Sequence, residues 1–302
     1  MILSHFRQPS VLSNSCIPNF LNANCPYLRI PPDPPGFEVR LNFDSAGEPL
    51  EALSVYITSI ELMFQLAQQP WTSAVNLRHL SPVVKNGYKS TIFTRLYGRS
   101  DELQTRHVLL ALYKGVFAMA RGDPGFYRLN AGIYLQKRLA GSVQIERLGS
   151  DLSLPNAMPS STSQANSTLT AMSGFIVNPK YPTTKIGYSF DGRTISSQEI
   201  FTAVLSTLTT AAQYAGTNLR YTAGRSVSGE TAIRILGLLG SDFPAREATR
   251  AIYLITIDLM VAFMLYEEMT FTLFYGRPRT ASGSITIIPV GEGDRRGSVE
   301  TS

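Results

Sequence analysis

The chain is poor in the residues that most often carry chemistry. Its 302 residues include 2 cysteines, Cys16 and Cys25, both near the N-terminus. The body therefore has neither a disulfide framework nor a thiolate zinc site. The N-terminal pair reads as two free thiols, or as one bridge if the compartment is oxidising. There are 3 histidines, His5, His79 and His107, and none has a ligand spacing such as His-x-x-x-His. No metal and no cofactor is expected. A serine-nucleophile elbow, Gly-x-Ser-x-Gly, does not occur. Neither phosphate-loop pattern is present, since the glycines of Gly291-Glu292-Gly293-Asp294-Arg295-Arg296-Gly297 are wrongly spaced and no helix follows them. Arg121-Gly122-Asp123 matches an adhesion tripeptide but reads as the end of a helix.

Charge is scarce as well. Charged residues make up 16% of the chain, the net charge is +5, and no run of Lys or Arg exceeds two. Nucleic-acid binding draws its affinity from clustered cations that neutralise phosphates, so no nucleic acid is expected. Long apolar runs are missing too. The most apolar stretch, Ile252–Tyr266, spans 15 residues with Asp258 in the middle. A membrane-spanning helix needs about 20 residues, and a central Asp costs about 2.5–3.5 kcal/mol on insertion. The stretch reads as a buried helix, so no transmembrane segment is expected.

The first twenty residues have no continuous apolar core and contain Pro9 and Pro18, unlike a secretory signal. The stretch to Ile30 has Arg7, Arg29 and no acidic residue, a composition like that of a transit peptide. Pro9 would break the amphipathic helix such a peptide requires. The expected location is cytoplasmic, with mitochondrial import and secretion left as alternatives. The sequon Asn166-Ser167-Thr168 has meaning only if the chain is secreted.

What is present is a repetition. Phe43-Asp44 returns as Phe190-Asp191, and Ser100-Asp101 as Ser241-Asp242. Thr105-Arg106 returns as Thr249-Arg250, and Gly141-Ser142-Val143-Gln144-Ile145 as Gly283-Ser284-Ile285-Thr286-Ile287. The order is kept and the offset stays between 141 and 147 residues. Tandem duplication with small indels explains this.

The expected fold is α+β. Each module has one strand, two to three helices and a closing β-hairpin, and a pseudo-two-fold axis relates the modules. The divisions are a Pro-rich leader at 1–36, a first module at 37–148 and a Ser/Thr/Pro-rich linker at 149–184. A second module at 185–290 and a disordered tail at 291–302 follow. In the first module a strand over Val39–Phe43 alternates apolar and polar residues. A helix over Pro49–Gln69, a short helix over Tyr88–Tyr97 and a helix from Ser100 to Arg121 come next. A hairpin pairs Ile133–Lys137 with Val143–Arg147, against a third helix over 126–139 as the alternative. The second module repeats the order with a strand at Lys185–Phe190 and a helix at Ser196–Tyr214. A short helix at Glu230–Leu239, an apolar segment at Pro244–Glu268 and a hairpin of Thr270–Tyr275 with Ser284–Pro289 complete it. The two sheets are expected to join edge to edge, which would remove exposed edges.

The candidate site residues are three carboxylates. Asp44 and Asp191 fall at equivalent places after the first strand of each module. Paired there they could hold a cation or exchange protons, although Asp also favours such turns for backbone bonding. Asp258, inside an apolar helix, requires a partner, a cavity or solvent. Asp258 is expected to be hydrogen-bonded or ion-paired, with any cation supplied by another element, Arg234 or an arginine of the first module. His107 on the long helix is expected to be a satisfied structural imidazole. These signals favour a non-enzymatic interaction or structural protein, with a protein partner or self-association. The alternative is an enzyme or small-ligand binder with its site in a cleft between the modules.

Overall fold

The computed structural model describes residues 30–75, 90–96, 103–122, 124–147, 173–238, 242–275 and 279–287, with the backbone alone at 90–96 and 279–280. The leader before residue 30, most of the expected linker and the expected tail lie outside the described residues.

The first half runs β1 (Phe37–Asp44), α1 (Ala52–Ala67), β2 (Ser90–Leu96), α2 (Thr105–Ala120), β3 (Arg128–Leu135) and β4 (Arg138–Arg147). Its four strands form an antiparallel sheet in the order β1-β3-β4-β2. The second half opens with β5 (Ser173–Val177), β6 (Thr184–Thr194) and α3 (Ser197–Ala212). Short strands β7 (Asn218–Leu219), β8 (Tyr221–Arg225), β9 (Thr231–Gly237) and β10 (Phe243–Pro244) follow. Helix α4 (Ala245–Leu254) then continues as a π-helical segment over Ile255–Val261, before β11 (Glu267–Tyr275) and β12 (Arg279–Ile287). The second sheet has six strands in the order β5-β6-β11-β12-β9-β8.

The inner order β6-β11-β12-β9 matches β1-β3-β4-β2 strand for strand, antiparallel throughout. The register matches too. One row crosses the first sheet as Phe43, Leu129, Ile145 and Ile92. Its counterpart crosses the second as Phe190, Met269, Ile285 and Ile233, all four buried. Connections recur with the same bonds. Leu50 N–H donates to the Phe126 carbonyl at 2.7 Å, and Ile195 N–H to that of Tyr266 at 2.9 Å. Before α2, Thr105 N–H reaches the Ser73 carbonyl at 2.9 Å; before α4, Ala245 N–H reaches that of Thr217 at 3.0 Å.

Two helices cover one face of each sheet, and the two helical layers pack on each other. Helix α1 meets α3 and α4, and α2 meets α3. The result is a sheet–helix–helix–sheet stack, not the expected edge-to-edge join. The physical reason is burial: each helical layer is apolar on both sides, as the nearly complete burial of α1 and α3 shows. Such a layer must be covered on both sides. Buried hydroxyls along α3 are satisfied by the preceding turn, with Thr207 Oγ1 donating to the Ala203 carbonyl and Thr209 Oγ1 to that of Leu205, each at 2.8 Å. Others serve edge strand β8 and its exit, since Ser206 Oγ accepts Arg225 N–H at 3.2 Å and Thr202 Oγ1 accepts Val227 N–H at 3.1 Å.

Several local expectations are corrected. Both short helices are strands, β2 and β9. Thr91-Ile92-Phe93-Thr94 and Thr231-Ala232-Ile233-Arg234-Ile235 are rich in β-branched residues, and β4 and β12 supply the ladder partners that an isolated short helix would lack. The third-helix alternative over 126–139 is strand β3 and its turn. The first hairpin turns at Gln136-Lys137, with φ of 50° and 69°, rather than at Leu139-Ala140-Gly141. Two left-handed residues are what a two-residue hairpin of matching twist requires. The expected linker contains β5, and the apolar segment ends early, at Met264 with φ of 53°. Two repeat landmarks slip. In the sheet register Gly283 faces Phe271 and so matches Val143, which faces Ala131, not Gly141. Arg106 and Arg246 each follow the first residue of their helices, so Arg250 lies one turn beyond the true match.

Candidate functional site

The three aspartates do not converge. Asp44 ends β1 opposite Arg128, exposed, and lines a shallow groove of about 350 Å³ with Asn42, Asn130 and Gln144. Asp191 is exposed on β6 beside a bulge in the pairing with β11. Asp258 is half-buried in the π-helical segment. Among the described residues no hydrogen bond or ion pair joins any two of them. The partner of Asp258 is the Asn178 amide, which donates to Oδ2 at 2.8 Å, and not an arginine. Asn178 Oδ1 also accepts Lys180 N–H at 2.9 Å, so the β5–β6 turn is pinned to the helix. Arg234 lies instead on β9, and Arg250 pairs with Glu247.

A buried polar cluster ties α4 to α1 and β6. Tyr253 O–H donates to Glu61 Oε1 at 3.0 Å, and its ring stacks on Phe64 at 4.2 Å. Burial, and then the charge of Glu61, push the Tyr253 phenol well above its ordinary range. Glu247, 3% exposed, accepts the Thr184 hydroxyl as well as Arg250, whose guanidinium lies 5.1 Å from the Tyr181 ring centroid. His107 is 4% exposed and stacks on Phe37 at 5.4 Å, and its Nδ1 accepts Gln104 N–H at 3.1 Å. Burial, with Arg106 assisting, pulls its pKa down to about 4, so the imidazole is neutral. The contacts of both clusters tie neighbouring elements together. Among the described residues no group of three or more His, Cys, Asp or Glu could hold a metal ion.

A larger, open concavity of about 920 Å³ lies elsewhere, on the outer face of the six-stranded sheet. One row crosses all six strands there: Phe175, Gly187, Thr272, Ser282, Leu236 and Tyr221. The next row is Ser173, Ser189, Thr270, Ser284, Arg234 and Ala223. In the first row, small side chains in the middle and large ones at the ends make a trough. Phe175 is 61% exposed, and the Lys185 ammonium sits 4.1 Å from its ring centroid. Among the described residues no His, Cys, Asp or Glu lines the trough. The matching positions of the first sheet carry amides, Asn42, Asn130 and Gln144, and there Arg40 lies 4.3 Å from the Tyr134 ring centroid and pairs with Glu38. The two outer faces therefore differ chemically. Sequence reasoning missed the trough, yet the signal was present. Thr270-Phe271-Thr272-Leu273 and Ser282-Gly283-Ser284-Ile285 alternate hydroxyl and apolar residues, the mark of a strand with one polar face.

No family model matches the chain, and no curated protein matches it. A solved structure of the tandem DUF26 ectodomain from the Arabidopsis thaliana cysteine-rich receptor-like protein PDLP8 aligns over 83% of this chain and 98% of that one, with 9% identity and a TM-score of 0.23. At that score the likeness carries no argument for the activity or partners of this chain. That neighbour is an ectodomain, which runs against the cytoplasmic placement expected from the sequence, and the placement is withdrawn. No helix among the described residues is long and apolar enough to cross a membrane.

Proposed function

We propose that this is a non-enzymatic binding protein built from a tandemly duplicated α+β module, and that it contacts its ligand through the trough on the outer face of the second sheet. The modules are taken as 37–148 and 185–290, and β5, within the expected 149–184 linker, adds an edge strand to the second sheet. What carries the reading is the contrast between the two kinds of site. The titratable residues are scattered or engaged in packing. The large concavity on the second sheet is lined by aromatics, hydroxyls and a guanidinium, groups that bind rather than transfer protons near neutral pH. Duplication supports the reading from another side. Two modules fastened through their helices leave both outer sheet faces to solvent, and the second face can diverge toward recognition while the first keeps the fold.

The test is a panel of immobilised polysaccharides, single-stranded oligonucleotides and peptides, probed with the wild-type chain and with Phe175→Ala/Tyr221→Ala. The wild type should bind one class, and the variant should lose that binding while its melting temperature holds. Equal binding by both proteins would remove the trough from the account.

A further inference from the structure

Resting on the trough as the contact face, we infer that its ligand is a carbohydrate: a neutral oligosaccharide lying across the strands, stacked at its ends on Phe175 and Tyr221. Five inter-strand steps of about 4.8 Å separate the strands that carry these two aromatics, about 24 Å in all. That span calls for an elongated ligand of several rings, not a compact metabolite.

The lining selects the chemistry of the ligand. Ser173, Ser189, Thr270 and Ser284 form an unbroken hydroxyl row ending at Arg234. Thr272 and Ser282 stand beside them in the neighbouring row. A hydroxyl both donates and accepts, so such a row suits a ligand whose own groups do both, and sugar hydroxyls do. Arg234 adds a planar fork of donors at one end. The aromatic end residues suit the C–H face of a sugar ring. Gly187 keeps the floor low: a Cβ there would come within 3.1 Å of the Phe175 ring, which now leans over that space.

Competing ligands fit less well. A peptide strand pairs with main-chain groups at a sheet edge, whereas this is a face whose ladder bonds are already made between β5, β6, β11, β12, β9 and β8. A nucleic acid brings a phosphate at each step, and among the described lining residues Arg234 is the one cation to meet that charge, with Lys185 at the margin. A cationic ligand would want carboxylates, and none lines the trough among the described residues.

The experiment is depletion of the intact chain from solution by insoluble cellulose, chitin, mannan and xylan, followed by calorimetry with the hexasaccharide of whichever retains it. The expected result is retention by at least one polysaccharide. Phe175→Ala should weaken the hexasaccharide Kd at least tenfold, Thr272→Trp should abolish retention by filling the floor, and Phe175→Trp should preserve it. Thermal melts check that each variant folds. Failure of all four polysaccharides to retain the wild type overturns the inference, as does wild-type affinity in both Phe175→Ala and Thr272→Trp. If the chain instead binds a peptide or an oligonucleotide and these two variants lose it, the carbohydrate inference falls while the trough stands as the contact face. If the variants lose no ligand of any class, both fall.

Discussion

Tyr56 of α1 and Phe201 of α3 stack on each other with ring centroids 5.1 Å apart and planes 29° from parallel. Each also meets an aromatic of its own half edge-on, Tyr56 with Phe126 at 5.2 Å and Phe201 with Tyr266 at 5.6 Å. Tyr56 and Phe201 hold the same position in two helices of equal length, so the stack sits where the proposed pseudo-two-fold axis passes. Aromatic pairs contribute about 0.5–1.5 kcal/mol beyond burial, and truncating a buried ring costs about 3–5 kcal/mol. Tyr56→Ala and Phe201→Ala should each destabilise the chain by that larger amount in denaturant melts. The double variant should cost less than the two combined, by about 1 kcal/mol, because the stack is lost once.

Helix α3 lies against β8 at Gly224, where a Cβ would come within 2.4 Å of the Thr207 backbone nitrogen and 2.8 Å of the Ala203 carbonyl oxygen. Backbone cannot move aside as a side-chain tip can. Gly224→Ala should destabilise by about 1–3 kcal/mol or more through overpacking. Adding a Cβ at Gly216, with φ of 91° and open space around it, meets no such contact and strains only the local backbone. Comparing the two melts separates crowding from strain.

Stability should fall in mild acid because of His107. Its folded pKa, about 4, lies below the ordinary value of about 6.5, so the unfolded chain binds more protons between those limits. The contribution is complete above pH 6.5 and lost progressively as pH drops toward 4. Its full size is on the order of 3 kcal/mol. His107→Gln should flatten the stability profile across this window; an unchanged slope would place the acid sensitivity elsewhere.

The Asp258–Asn178 bond fastens the β5–β6 turn to the π-helical segment, and both partners remain partly solvated. Water can replace either partner, so the penalty of a buried unpaired charge does not apply. Asn178→Ala should cost about 1 kcal/mol in global stability. It should also speed amide exchange in β5, which pairs with β6 alone. Asp44→Ala and Asp191→Ala, both at exposed positions, should change stability by less than about 0.5 kcal/mol.

The long helices and the first strand of each half were legible because Leu53, Ile57, Ile60 and Phe64, or Val39, Leu41 and Phe43, repeat at the period of the element they form. Strands β2 and β9 were not. Seven residues hold too few periods to separate strand from helix, and β9 lies between β8, itself only 5 residues long, and β12, some fifty residues further along the chain. The layer arrangement was hidden for a related reason. It is burial, not sequence pattern, that reveals α1 and α3 to be covered nearly all round, α3 through hydroxyls as well as apolar side chains. The trough is a property of rows across six strands, and no single strand holds more than a few of its residues. Asp258 drew attention as a charge in an apolar run, but the irregular helix turns it toward Asn178, a residue in what read as linker.

The most direct test sets the trough against the aspartates in one ligand panel, with product formation monitored alongside binding. Phe175→Ala/Tyr221→Ala should lose the ligand that the wild type holds, while Asp44→Ala/Asp191→Ala/Asp258→Ala should keep it, with the ligand recovered chemically unchanged. Loss of binding or of turnover in the aspartate variant, with the trough variant unaffected, would contradict the account and place the site among the carboxylates.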